Sequence, residues 1–233
     1  MSDAPLWTIA TVSFVNAPER DVVRDVALGC ATHERLLTRL VAIAATDGVD
    51  PGRPTLLAGW SVGHVLTHLA RNADGHRRMI EGASRGEVLE QYVGGVDGRI
   101  AEIERGAARS MSELVADVTA SIELLEQSWA ASDWTGYGRR TLGADTAISQ
   151  LPFRRVREVE LHQVDLGVGI TVSDLDPLYV RLELRRLEML WMARQPMGFT
   201  PLPAEVLALA PPERLAWFTG RLNVEGVRAA GLF

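Results

Sequence analysis

The stretch Gly59–Gly75, GWSVGHVLTHLARNADG, decides the fold. Ser61 can cap a helix that carries His64, Val65, His68, Leu69, Asn72, Ala73 and Ile80 and ends around Gly82. Those positions recur every three or four residues, the period of a helix with one buried face. A second stretch, Arg157–Gly167 (REVELHQVDLG), has the same character. Pro152 suits the first turn of its helix, and Gly167 and Gly169 end it.

Two more helices follow from the same period. Val22, Val26, Gly29, His33, Leu36, Leu40 and Ile43 form a seam of alternating steps of four and three, with Asn16 and Pro18 before it and Asp47-Gly48 after it. Ser110 and Glu113 read as a capping box, and Leu114, Val118, Ile122, Leu125 and Trp129 form the apolar face behind them. Four such helices predict a mainly α protein built on a four-helix bundle with long connections. The connections Gly86–Gly98 and Ser132–Gln150 read as irregular. The bundle is expected over residues 1–170. A small, mainly helical C-terminal region is expected over 171–233, with a helix opening at Asp176-Pro177 and a short one near Glu213–Arg221. The early segment WTIATVSFV reads as a strand or a packed arm.

Composition narrows the chemistry. The chain has 233 residues, 47% of them hydrophobic and 23% charged, enough for a packed core without disulfides. All 24 Lys or Arg positions are Arg, which excludes lysine Schiff-base catalysis and a Walker-type phosphate loop. Cys30 is the one cysteine, so a cysteine-rich zinc site is excluded, and its place on the first seam reads as an inert core thiol. A net charge of −6 argues against nucleic-acid binding. With no apolar run near the ~20 residues of a membrane span and no leader-like start in MSDAPLW, the protein is expected to be cytoplasmic and not membrane-bound.

The histidines are the chemistry-bearing group. Glu158 and His162 stand one helical turn apart on one face, and His68 on another helix can complete a set of N, N and O donors for a divalent metal such as zinc. His64 and His68, also four apart, form an alternative pair, although His64 falls in the first turn where it can contact the cap. An isolated Glu-x-x-x-His is also compatible with a solvated helix pair. His33 reads as a buried core histidine, His76 as exposed beside Arg77 and Arg78, and Trp60 as a packing anchor. Asn72 lies one turn beyond His68, and Asp165 lies three residues past His162, where it can accept that histidine's second N–H.

Together the two stretches resemble the mycothiol-dependent maleylpyruvate isomerases of the DinB-like superfamily, over residues 20–170. The resemblance implies a zinc ion held by a histidine of the second helix and a Glu-x-x-x-His of the last, which here are His68, Glu158 and His162. It implies mycothiol as the external thiol and a small electrophile as the substrate. In that reaction the thiol adds to the cis double bond of maleylpyruvate, the new single bond rotates, and elimination leaves fumarylpyruvate. The segment Phe218–Val227, FTGRLNVEGV, resembles the region where the family has a C-terminal arginine that contributes to activity, which makes Arg221 its catalytic counterpart. The family follows its bundle with a small α/β domain, whereas residues 171–233 here are short and mainly helical. A thiol S-transferase on the same scaffold is the alternative activity. A dianionic substrate needs cations, and Arg154, Arg155, Arg157 and Arg221 are the nearest in sequence.

Overall fold

The computed structural model describes residues 21–45, 49–141, 145–194 and 200–231. The expected cap at Asn16 and Pro18, the stop at Asp47-Gly48 and the early WTIATVSFV segment lie outside them. Eight α-helices occur among the described residues: α1 (Val22–Ala45), α2 (Val62–Ala83), α3 (Gly95–Ala107), α4 (Met111–Ala131), α5 (Leu151–Asp165), α6 (Pro177–Met192), α7 (Ala204–Leu207) and α8 (Pro211–Phe218). No described helix is long and apolar enough to cross a membrane.

The bundle consists of α1, α2, α4 and α5: α2 packs on α4 and α5, and α1 on α5 and α4. Its core follows the apolar stripes. Leu36 and Leu40 of α1 meet Val65, Leu66 and Leu69 of α2, Leu114, Val118 and Ile122 of α4, and Val159 of α5. Toward the other end, Ala73, Met79 and Ile80 pack with Leu125, Trp129 and Leu151. Gly29 lets α1 approach α4, since a Cβ there would lie 2.7 Å from the Trp129 ring.

Both expected caps form. Ser110 and Glu113 make a reciprocal capping box at α4. At α2 the Ser61 hydroxyl accepts from the His64 backbone N–H, and His64 Nδ1 accepts from the Ser61 N–H at 3.2 Å. His64 is thereby used as a cap.

Two connections are more ordered than expected. The Gly86–Gly98 stretch contains the start of α3, which lies on α2. Glycines mask that start, and of its residues only Ile103 and Ala107 are buried, so the apolar period is faint. Ser132–Gln150 contains an antiparallel pair, β1 (Tyr137–Arg139) and β2 (Asp145–Ala147), with Gly138 opposite Thr146. Three-residue strands are too short to show alternation. The pair lies on α2, where a Cβ on Gly138 would be 2.7 Å from Met79.

The C-terminal helices cover the outer face of α5. Phe153, Val156, Leu161 and Val164 share a core with Tyr179, Leu184, Leu187, Trp191, Leu215, Trp217 and Phe218. Asp176 caps α6 by accepting from the N–H groups of Leu178 and Tyr179, with Pro177 in the first turn. A Schellman pair ends α8: Arg221 N–H reaches Ala216 O at 2.7 Å and Gly220 N–H reaches Trp217 O at 3.2 Å. Gly220 takes φ +74°, a left-handed conformation that glycine adopts freely, and the turn sends Arg221 back toward α5.

Candidate metal centre

His68 faces inward from the middle of α2, and Glu158 and His162 stand one turn apart on α5. The bundle brings the three together. His68 Nε2 lies 3.0 Å from Glu158 Oε2, and His162 Nε2 lies 3.5 Å from the same oxygen. One donor atom from each falls within 4.8 Å of the others. The two imidazoles cross edge-on, with ring centroids 4.8 Å apart. His68 is buried, while Glu158 and His162 are half-buried and open to the site mouth.

Behind the cluster is a chain of supports. Asp165 Oδ2 accepts from His162 Nδ1 at 2.9 Å. Arg221 grips Asp165 with two bonds, Nε to Oδ1 at 2.8 Å and Nη2 to Oδ2 at 2.6 Å. Its Nη1 donates to Thr219 O at 2.9 Å. Arg221 thus reaches the site through Asp165 rather than through the donor atoms themselves.

The electrostatics favour charge on Glu158, Asp165 and His162 and oppose it on His68. Burial works against charge on Glu158, but hydrogen bonds from His162 and His68, with their charges, outweigh it and hold the carboxyl well below its ordinary range. Burial also pushes Asp165 up, and His162 and Arg221 pull it below the usual value. Burial would lower His162, yet the hydrogen bonds to Asp165 and Glu158 raise it above an ordinary histidine. Burial takes His68 down to about 4, helped by the charges of His162 and Arg99 against the hydrogen bond to Glu158. Two carboxylates thus flank His162, where a divalent cation would satisfy the same charges.

The remaining expected residues fall into place as follows. Asn72 makes no hydrogen bond to the three residues: its Oδ1 accepts from Arg155 Nη1 at 2.9 Å. Arg155 is fully buried, where it also donates to Leu69 O and to His33 Nε2. His33 is buried as expected, with its Nδ1 2.8 Å from Glu126. His76 is buried, at 4% exposure, and not exposed as its arginine neighbours suggested. The reason is its place one turn beyond Asn72 on the bundle-facing side of α2, near the buried Arg155 and His33. Cys30 is partly buried against the bundle core rather than enclosed in it, and burial with help from Glu126 pushes its thiol up to about 11.

Arg99 was missed by sequence reasoning, and Trp60, read as a packing anchor, also faces the site. The Trp60 ring lies 5.5 Å from His68 and 6.5 Å from His162, so it walls the site. Its spacing, eight residues before His68, was the available signal. Arg99, on the unforeseen α3, places Nη2 3.2 Å from His68 Nδ1 and stacks its guanidinium over Trp60 and Tyr92.

A family model described as the mycothiol maleylpyruvate isomerase N-terminal domain matches residues 31–167. Two solved structures have a similar fold. One is a mycothiol-dependent maleylpyruvate isomerase, 24% identical over 74% of this chain and 72% of that one, with a TM-score of 0.66. The other is a histidine-to-alanine mutant of a mycothiol-dependent maleylpyruvate isomerase, 23% identical over the same shares with the same TM-score. Among curated proteins, no sequence matches this chain.

Proposed function

The chain belongs to the mycothiol maleylpyruvate isomerase N-terminal domain family, and on that footing we propose that it is a zinc- and mycothiol-dependent maleylpyruvate isomerase. His68, Glu158 and His162 hold the metal in this reading. The observation that carries it is the convergence of two imidazole nitrogens and one carboxylate oxygen, backed by a carboxylate on the second nitrogen of His162. Two neutral nitrogens and one anionic oxygen suit zinc and leave a position for an external ligand. A bound divalent ion would lower the pKa of a thiol, making thiolate available at neutral pH.

The chain's own residues have separate tasks. Asp165 fixes the His162 ring through Nδ1 and favours Nε2 as the ligating atom. Arg221 holds Asp165 in place and offsets its charge, which makes it a positioning residue for His162. Trp60 excludes water from one side of both imidazoles. Cys30, with its raised pKa, leaves the thiol to come from solution.

The test is to incubate the protein with zinc, mycothiol and maleylpyruvate and follow the ultraviolet spectrum. Isomerisation without net thiol consumption supports the reading. One thiol consumed per product would assign an S-transferase instead. Full turnover in a thiol-free, chelator-treated preparation would overturn both the metal and the thiol.

A further inference from the structure

Each cation expected to clamp an anionic substrate is committed elsewhere or out of reach. Arg221 is bonded to Asp165, Arg157 to Glu183 at 2.7 Å, and Arg155 is fully enclosed. Arg154 is half-buried and has interactions of its own. Arg99 differs from all of them. It is half-buried at the site mouth, and among the described residues no carboxylate lies within 4.0 Å of its guanidinium. Its contacts are the faces of Trp60 at 5.8 Å and Tyr92 at 5.9 Å, the Tyr92 hydroxyl, and the Nδ1 atom of His68 at 3.2 Å.

A metal held by His68 Nε2 would compete with the contact to Arg99. A guanidinium carries only donors, so Nδ1 must act as the acceptor, and the ring proton then sits on Nε2 facing Glu158. A neutral imidazole that ligates a metal through Nε2 must keep its proton on Nδ1. Two donors would then face each other, which frees that Arg99 donor for an acceptor at the site mouth. The two aromatic faces keep it at the mouth, and a planar guanidinium suits a carboxylate in two-bond geometry.

We propose that Arg99 is the carboxylate-binding residue of this site, released from His68 when the metal binds and taking the carboxylate of a small anionic ligand. This rests on the isomerase-type reading of the metal centre. It assigns a role to α3, whose Arg99 supplies the unpaired charge that an oxo-diacid requires.

The experiment uses zinc-loaded full-length protein and maleate as the probe, with affinity measured by calorimetry and zinc content by elemental analysis. Arg99→Gln should weaken maleate binding at least about tenfold, the scale of a lost charge-assisted bond. Zinc content should stay at the wild-type level. Arg99→Lys should recover part of the loss, and uncharged dimethyl maleate should not distinguish the variants. Wild-type affinity for maleate in Arg99→Gln would overturn the proposal. So would loss of zinc in that variant, because Arg99 would then act through His68, or a wild-type protein that does not bind maleate. A protein that binds maleate through Arg99 yet does not isomerise maleylpyruvate with zinc and mycothiol would support the subsite and refute the isomerase reading.

Discussion

Asp165 joins the last turn of α5 to the turn after α8. It accepts from His162 and from two nitrogens of Arg221, so it couples a proposed metal ligand to the C-terminal region. Asp165→Asn keeps the shape and removes the charge. The amide is a poorer acceptor for His162 Nδ1 and leaves Arg221 without its counter-ion. We expect zinc affinity to fall about 10- to 100-fold, the usual cost of losing such a support. A competition titration with a chromophoric chelator measures it, and unchanged affinity would refute the supporting role. Much of this was legible beforehand. The spacing of Glu158 and His162 put both on one face, and Asp165 three residues on was within reach. The misplaced residue, Asn72, shows the limit. It shares a helical face with His68, but its amide is drawn to the buried guanidinium of Arg155, which only the folded bundle brings near.

α3 is the element on which the account of ligand binding depends. It lies close on α2 because Gly63 has no side chain: a Cβ there would run into the backbone carbonyl of Ala107. Backbone cannot swing aside as a flexible side chain can. Gly63→Ala should therefore destabilise the fold by about 1–3 kcal/mol, in the range of overpacked cores. Urea unfolding reads the change, and a wild-type midpoint would show that the approach of the two helices is unimportant. α3 escaped sequence reasoning for a physical reason. A helix that buries only Ile103 and Ala107 and begins after a left-handed Gly94 offers neither an apolar stripe nor a side-chain cap. The long helices announced themselves, because Leu69 and Ala73 of α2 and Val118, Ile122 and Leu125 of α4 carry the bundle core at regular intervals.

At the scale of the whole molecule, interior histidines make metal-free protein sensitive to acid. Burial lowers His33 and His68 to about 4 and His76 to about 3, while hydrogen bonds to Asp165 and Glu158 raise His162 against its burial. A lowered group stabilises the fold above the unfolded value near ~6.5, and that contribution is lost as pH falls toward the folded value. A raised group acts in the opposite sense, so His162 offsets part of the loss from His33, His68 and His76. Unfolding free energy should therefore fall between pH 7 and pH 5. Urea titrations of chelated protein at the two pH values check this, and equal stability would contradict it. Metal should oppose the loss by binding only the folded chain. The central claim is that three side chains from two helices hold one divalent ion. Its most direct measurement is the zinc stoichiometry, by elemental analysis, of wild type, His68→Ala, Glu158→Ala and His162→Ala after equilibration with the same limiting free zinc. The account predicts one zinc per wild-type chain and a large loss in each folded variant, because two remaining ligands leave the ion under-coordinated. Wild-type stoichiometry in all three variants would contradict it.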